Sequence, residues 1–192
     1  MEYKKISQIA KGWSSYIWLA EDEGGKEWAL KEVREKSPRK DLANREGKML
    51  LLANSAGVGP KVGEVNYEKN FVTMELIKGK KLFDWITNLD SFGEVSAQQV
   101  YDFIKELYRQ CEALDDEGLS HNQLQVGKNI LVKEVLGAEG KKFLPVIIDF
   151  EKATVKRKGH TKNLGQVMSM LFYNPHGIIA EKVREKLNLI IK

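Results

Sequence analysis

Two short apolar segments in the second half of the sequence each adjoin a side chain suited to metal binding. One segment, NILVKEV, begins with Asn129, and the other, FLPVIID, ends with Asp149. The turn sequence GAEGKK between them predicts a pair of neighbouring strands. Amide and carboxylate oxygens are ligands that Mg²⁺ accepts when it bridges nucleotide phosphates. An acid at the end of a buried apolar strand costs free energy unless it is paired or metal-bound, so Asp149 is predicted to be functional.

The first part of the chain has the pattern of an antiparallel sheet. The segments YKKISQIA, SYIWLAEDE and KEWALKEVRE are rich in aromatic and β-branched residues and are separated by the turns KGWSS and EGGK. A helical pattern begins near Pro38 and closes on Gly57. After it, KVGEVNYEKNFVTMELI predicts a hairpin that turns at EKN.

The second part of the chain is mainly helical in pattern. Residues 96–118 repeat apolar side chains at the spacing of an amphipathic helix that ends at Gly118. Residues 161–174 and 179–191 predict two closing helices. We therefore predict an α+β fold with two lobes, a sheet-rich lobe at residues 1–77 and a helix-rich lobe at residues 78–192, with the boundary at IKGKKL, residues 77–82.

Composition restricts the cellular setting and the class of partner. A single cysteine, Cys111, excludes an intramolecular disulfide, and we expect its thiol to be buried in a reducing, cytoplasmic environment. No apolar run approaches the roughly 18 residues of a membrane span, and the N-terminus has no signal-peptide core. The formal charge of +4 and the pI of about 9.0 make an anionic partner worth considering beside an ordinary lysine-rich surface.

The sheet-rich part carries two candidate phosphate contacts. Gly12, Ser14 and Ser15 lie in the first turn, which can present backbone N–H groups to phosphate oxygens, although one glycine is also typical of an ordinary hairpin. Lys31 ends the strand segment WALK, and Glu46 follows fifteen residues later in the predicted helix. This spacing favours an ion pair that holds the lysine toward phosphates over two unrelated surface residues.

A third candidate site is the end of the strand segment FVTMELI. A strand that leaves its sheet exposes backbone donors and acceptors, and those of Glu75 and Ile77 are placed to read the edge of an adenine ring. Met74 is expected to line the back of such a pocket, but packing alone would equally explain an apolar residue there.

These motifs occur in an order that resembles the protein-kinase-like superfamily over roughly residues 8–175. REGKMLLLANSAGVGPKV and MELIKGKKL look more narrowly like small archaeal members related to the RIO and Bud32 kinases, and within that group like the archaeal RNA kinases that phosphorylate a ribose 2′-hydroxyl of tRNA. The resemblance implies a minimal two-lobed kinase-like fold that uses ATP and Mg²⁺. It also implies site roles: phosphate binding by Lys31, an ion pair from Glu46 to Lys31, Mg²⁺ binding by Asn129 and Asp149, and adenine contacts from the backbone of Glu75 and Ile77.

The sequence departs from the kinase pattern at the catalytic base. Counting forward from His121 places Gln123 where these kinases carry an aspartate, and counting back from Asn129 places Leu124 there. Neither residue is an acid. Phosphoryl transfer depends mainly on positioning and charge cancellation, and general-base help is worth about 10²- to 10⁴-fold, so its loss slows an enzyme without silencing it.

Three titratable residues are alternative bases. His121 has a suitable ordinary pKa, although a structural role is also typical of this histidine. Asp149 and Glu151 can serve if the acceptor enters from the metal side. Gln123 can only orient the acceptor, because its amide does not titrate.

Two further departures bear on regulation and on the acceptor. Glu151 replaces the glycine of the usual DFG segment, which puts the flipping of that segment in doubt. Only 43 residues follow Asp149, without an APE-like segment. We therefore expect no full peptide-docking platform.

Basic clusters favour RNA as the acceptor. They occupy residues 36–40, 78–81 and 152–162, and the last contains five lysines or arginines directly after the metal strand. If they converge on one cleft, they form a track for a phosphate backbone. We predict a monomeric tRNA kinase that binds neither DNA nor membranes. The alternatives are a serine/threonine protein kinase of the RIO or Bud32 type and a pseudokinase scaffold.

Overall fold

The computed structural model describes residues 2–37, 41–89, 95–137 and 140–187. Its first half is an antiparallel five-stranded sheet in the order β1-β2-β3-β5-β4. The strands are β1 (Tyr3–Lys11), β2 (Ser15–Asp22), β3 (Glu27–Val33), β4 (Val62–Asn66) and β5 (Phe71–Glu75). The predicted meander and the predicted hairpin are both confirmed.

One helix packs on this sheet. It begins with a π-helical turn at Ala43–Gly47 and continues as α1 (Lys48–Ser55). The predicted start near Pro38 lies outside the described residues. Gly47 sits so close to β4 that an added Cβ would lie 2.5 Å from Val65 Cγ1. This contact requires glycine and brings the helix near enough for the preceding residue, Glu46, to reach the sheet.

The second half combines a small sheet with helices. Strands β6 (Gly79–Lys81), β8 (Ile130–Gly137) and β9 (Gly140–Ile147) form an antiparallel sheet in the order β6-β8-β9, and β7 (Leu119–Ser120) pairs with β10 (Thr154–Val155). The helices are α2 (Leu82–Thr87), α3 (Ala97–Asp116), α4 (Asn163–Met168), which a π-helical turn at Ser169–Tyr173 extends, and α5 (Ile178–Leu187). The structure is thus α+β, as the sequence predicts.

Helix α3 anchors the core of the second half. Ser96 and Gln99 form a reciprocal capping box at its start, and its apolar face is buried, including the thiol of Cys111. Phe103 packs 5.0 Å from Trp85 of α2, measured between ring centroids, and Phe143 of β9 packs 5.3 Å from Trp85 on another side. Among the described residues, no helix is long and apolar enough to cross a membrane.

A buried polar network fixes the loop that follows β7. The amide oxygen of Asn163 accepts a hydrogen bond from the His121 backbone N–H at 2.8 Å, while its amide nitrogen donates to Asp115 and to the Leu119 carbonyl. The His121 ring is fully buried, and its Nε2 lies 2.9 Å from the Ile148 carbonyl. Burial lowers the pKa of the His121 imidazole below its ordinary value, although the Ile148 carbonyl offsets part of that effect. His121 is therefore neutral and structural at neutral pH.

The close approach at Gly47 is testable by adding one methyl group. Gly47→Ala is expected to lower the free energy of unfolding by about 1–3 kcal/mol, because the new Cβ overlaps Val65. Gly165→Ala is the matched control, at an exposed position in α4 where a Cβ meets nothing within 4 Å. It is expected to raise the free energy of unfolding by at most about 1 kcal/mol. Urea denaturation of both variants measures the difference. A Gly47→Ala protein as stable as Gly165→Ala would contradict the packing described here.

Buried His121 should make stability depend on pH. The unfolded chain takes up a proton at His121 below about pH 6.5, whereas the folded chain does not, so the free energy of unfolding is expected to fall by up to about 1.4 kcal/mol per pH unit from this group. The stabilisation is present above that pH and is lost as the pH falls. Denaturation is measured between pH 7 and pH 5. The free energy of unfolding should change less steeply with pH for His121→Gln than for the exposed control variant His160→Gln. Equal slopes would exclude His121 as the source.

Candidate active site

The predicted pair of Lys31 and Glu46 is present and buried. Lys31 lies on β3 opposite Val72 of β5, and Glu46 projects from the π-helical turn that packs over the sheet. The Lys31 ammonium forms a salt bridge with Glu46 Oε2, and both side chains are at most 5% exposed. A buried pair of this kind fixes the lysine in one position.

Asp149 makes a second contact with the same ammonium. Its Oδ1 lies 2.7 Å from Lys31 Nζ, although the two residues are 118 positions apart in the sequence. Asp149 has a φ of 66°, in the left-handed region that non-glycine residues rarely adopt. Such strain persists only where surrounding contacts hold it, and it is frequent at functional sites. Here the ion pair with Lys31 is one contact that holds it.

These contacts set the charge states of the three groups. Burial lowers the pKa of the Lys31 ammonium, but the carboxylates of Glu46 and Asp149 outweigh burial and raise it. Burial raises the pKa of the Asp149 carboxyl, but Lys31 outweighs it and the pKa lies below its ordinary value. Burial also raises the pKa of Glu46, and Lys31 offsets only part of that shift. Lys31 and Asp149 are accordingly charged at neutral pH.

Glu151 adds a third carboxylate. Its Oε2 lies 3.9 Å from Lys31 Nζ, and oxygens of Glu46, Asp149 and Glu151 all lie within 4.8 Å of one another. Carboxylates in this number fit the hard-oxygen chemistry of Mg²⁺. Asn129 lies nearby, since its backbone oxygen accepts a hydrogen bond of 2.9 Å from Ile148, the residue before Asp149.

A cleft of about 280 Å³ lies between the five-stranded sheet and β8. Six of the residues predicted from the sequence line it: Lys31, Glu46, Met74, Glu75, Ile77 and Asp149. Its walls also include apolar residues that the sequence interpretation missed, namely Ile9, Ala10, Ile17, Ala29, Pro60, Leu131 and Ile148. The apolar walls and polar end suit a flat ring that carries phosphates.

Strand alternation was a signal for one of the missed residues. Ala29 lies two positions before Lys31 on the same strand, β3. Residues two apart on a strand share a face. Ala29 was therefore predictable as a neighbour of a residue already singled out.

The backbone at the end of β5 is only partly free to contact a ligand. The Glu75 N–H donates to the Lys61 carbonyl at 2.8 Å, and the Glu75 side chain pairs with Lys133 at 3.3 Å. The prediction that Glu75 meets adenine through its backbone is thus restricted to its carbonyl. Ile77 lies in the segment after β5, outside any strand, and lines the cleft.

The first turn, which is predicted to contact phosphates, is held by hydrogen bonds within the protein. The Gly12 N–H donates to the Ser15 carbonyl at 2.8 Å, and an added Cβ on Gly12 would make only ordinary contacts at 3.5 Å. The turn therefore does not require glycine. Ser14 and Ser15 are buried, and Ser14 Oγ donates to Glu151 at 2.7 Å. The lining of the cleft does not include these three residues.

Gln123 and Leu124, the two positions that counting along the loop gives for the catalytic base, differ in exposure. Leu124 is fully buried, whereas Gln123 is partly exposed and its carbonyl accepts a hydrogen bond of 3.3 Å from the Asn129 amide. Gln123 is accordingly the residue of the two that an acceptor can reach. His121, one of the alternative bases, is enclosed by Phe150 and the Ile148 carbonyl, so its burial does not fit that role.

Comparisons with known proteins agree with this geometry. No protein-family model matches the chain. It is 27% identical over 135 residues to a probable myosin light chain kinase of Dictyostelium discoideum, an alignment that covers 69% of this chain and 42% of the other. The structure is similar to that of the Rio2 kinase from Chaetomium thermophilum, solved as an ADP/Mg²⁺–phosphoaspartate complex, with a TM-score of 0.58 and 16% identity.

The Rio2 similarity covers 95% of this chain and 62% of the Rio2 chain, so the protein spans less than two thirds of either relative. The part of the chain that this similarity covers includes the five-stranded sheet and the helix that supplies Glu46. The chain has a protein-kinase-like fold.

Proposed function

We propose that the protein is an ATP- and Mg²⁺-dependent phosphotransferase whose acceptor is a ribose 2′-hydroxyl of tRNA. The observation that carries the phosphotransferase assignment is the contact of Lys31 with both Glu46 and Asp149 at the polar end of the cleft. A scaffold has no chemical need for a buried lysine held between two acids. In this proposal residues 1–77 and 78–192 form the two lobes that enclose the nucleotide.

Each residue of the site has a specific task in this proposal. Lys31 binds phosphate oxygens, Glu46 keeps its ammonium in place, and Asp149 and Asn129 hold the metal ion. Bound Mg²⁺ supplies positive charge that cancels the charge of the phosphates. Gln123 orients the acceptor hydroxyl through hydrogen bonds. Because the transition state is loose, this positioning supports transfer without a dedicated base at position 123.

The basic segment at residues 152–162 supports an RNA acceptor. It is fixed beside the loop that carries Gln123, since Thr154 pairs with Ser120 and the Lys156 N–H donates to the Gly118 carbonyl at 2.7 Å. Asn122 adds a hydrogen bond of 2.9 Å to the Lys152 carbonyl. All five basic side chains of the segment are exposed. Cations at fixed positions next to the acceptor site suit the phosphate backbone of RNA.

The other two basic clusters support the same acceptor in different degrees. The segment 78–81 is exposed, and Lys81 also lines the cleft. Lys78, however, already pairs with Glu27 at 2.7 Å. Of the cluster at 36–40, the last three residues lie outside the described part of the chain.

A serine/threonine protein kinase is the second candidate. The likeness to the Rio2 kinase favours it, because the two proteins share a fold. A pseudokinase is the third, and Gln123 favours it. All three candidate functions predict ATP binding. The RNA kinase and the protein kinase differ in the acceptor of the phosphate, and the pseudokinase transfers none.

The buried pair predicts separate effects on folding and on nucleotide binding. Lys31→Met leaves Glu46 buried without its partner and is expected to lower the free energy of unfolding by about 3–5 kcal/mol. Adding Glu46→Gln removes the unpaired charge and should recover part of that loss. ATP binding, measured by calorimetry, should remain lost in both variants. Recovery of ATP binding in the double variant would show that Lys31 does not bind phosphate.

The acceptor is testable by transfer of labelled phosphate. With γ-labelled ATP and Mg²⁺, the protein is expected to label total archaeal tRNA but not a mixture of protein substrates. Asp149→Ala should abolish labelling because it removes a metal ligand, whereas Asp102→Ala, an exposed position on α3, should leave it intact. Nuclease digestion of the product then locates the phosphate.

A charge variant separates RNA recognition from chemistry. Alanine at Lys156, Arg157 and Lys158 should lower tRNA labelling while leaving ATP affinity unchanged. Label in protein alone would favour the second candidate. ATP binding without labelling of either acceptor would favour the pseudokinase.

A further inference from the structure

The first turn of the sheet and the segment after Asp149 are joined by one buried hydrogen bond. Ser14 Oγ donates to Glu151 Oε2 at 2.7 Å across a sequence separation of 137 residues. Both residues are at most 6% exposed. The same carboxylate oxygen lies 3.9 Å from Lys31 Nζ. A single atom of Glu151 therefore links the turn to the lysine that is the candidate phosphate ligand.

We propose that this contact, the Ser14–Glu151 clasp, positions the first turn over the phosphate site so that the turn is preorganised before nucleotide binds. The inference rests on the proposed nucleotide binding and adds two positioning residues to it. In this inference Ser14 and Glu151 act by positioning the turn, and Glu151 does not serve as the alternative base considered above.

The clasp substitutes for the repeated glycines that this turn lacks. Gly12 does not depend on being glycine, so backbone flexibility does not explain how the turn adopts its shape. Side chains fix the turn instead. Besides the clasp, Arg34 Nη1 donates to the carbonyls of Gly12 and Trp13 at 3.0 and 3.1 Å. A turn held at several points loses little conformational entropy when a ligand binds.

The Ser14–Glu151 clasp lies where it can hold the turn without blocking the cleft. The cleft of about 280 Å³ is lined by residues that include Lys31 and Asp149 but neither Ser14 nor Glu151. A nucleobase can therefore enter the cleft while the clasp stays closed. The clasp also explains the glutamate at position 151, because a glycine there would leave Ser14 buried without an acceptor for its hydroxyl. It further opposes the flipping of the segment that begins at Asp149.

The test compares two ligands by calorimetry, ATP with Mg²⁺ and adenosine. Adenosine occupies only the apolar cleft, whereas ATP also meets the turn. Ser14→Ala is expected to weaken ATP binding about tenfold, equivalent to about 1.4 kcal/mol, and to leave the dissociation constant of adenosine unchanged. Ser14→Thr, which retains the hydroxyl, should restore ATP binding. In a Glu151→Ala background, Ser14→Ala should have little further effect, because the clasp is already absent.

Each outcome distinguishes the clasp from a general structural role. A Ser14→Ala variant that loses affinity for adenosine and ATP equally would show damage to the fold and overturn the inference. Unchanged or tighter ATP binding would also overturn it, the latter by showing an obstructing turn. Binding of ATP by the native protein with no effect of Ser14→Ala refutes the clasp alone. Failure of the native protein to bind either ligand refutes both the clasp and the proposed function.

Discussion

The Lys31 ammonium is buried between carboxylates that come from separate parts of the chain. Its burial would be costly without them, and the burial of Glu46 would be costly without it. Glu46 requires a helix packed tightly on the sheet, which the absence of a side chain at Gly47 allows. Asp149 requires the end of β9 to lie under the sheet with a left-handed backbone. Much of the arrangement around the cleft can thus be understood as what is needed to bring these groups to one point.

The parts of the fold that were predictable from the sequence are those with a local signal. Strand alternation, turn residues and the 3.6-residue period of α3 each act within a short window, and the structure contains the elements they predict. Helix α2 and strand β6 were missed because six and three residues carry too little periodicity. Strand β6 exists because Lys80 pairs with Val132 of β8, a contact that no local pattern records.

The same distinction applies to the site. Lys31, Glu46 and Asp149 were predictable because phosphate binding, ion pairing and metal binding each call for a particular residue type, and the three residues occur in the expected order along the chain. Their mutual contacts were not, since a direct pairing of Lys31 with Asp149 depends on how the halves of the chain pack. The role of His121 was ambiguous for a similar reason. Whether an imidazole is a base or a packed ring depends on its burial, and here Phe150 and the Ile148 carbonyl enclose it.

Acidic and basic side chains occupy different parts of the site. The carboxyl groups of Glu46, Asp149 and Glu151 surround one ammonium at the polar end of the cleft, so a polyphosphate that arrives there without a divalent cation meets more carboxyl groups than ammonium groups. The proposed Mg²⁺ requirement follows from that imbalance as much as from the metal ligands themselves. Outside, the exposed cations of residues 152–162 flank the loop of Gln123. In the proposed function, an RNA acceptor would be attracted to this rim and repelled by the carboxylates of the cleft, which would place its sugar hydroxyls between the two, where the γ-phosphate is expected.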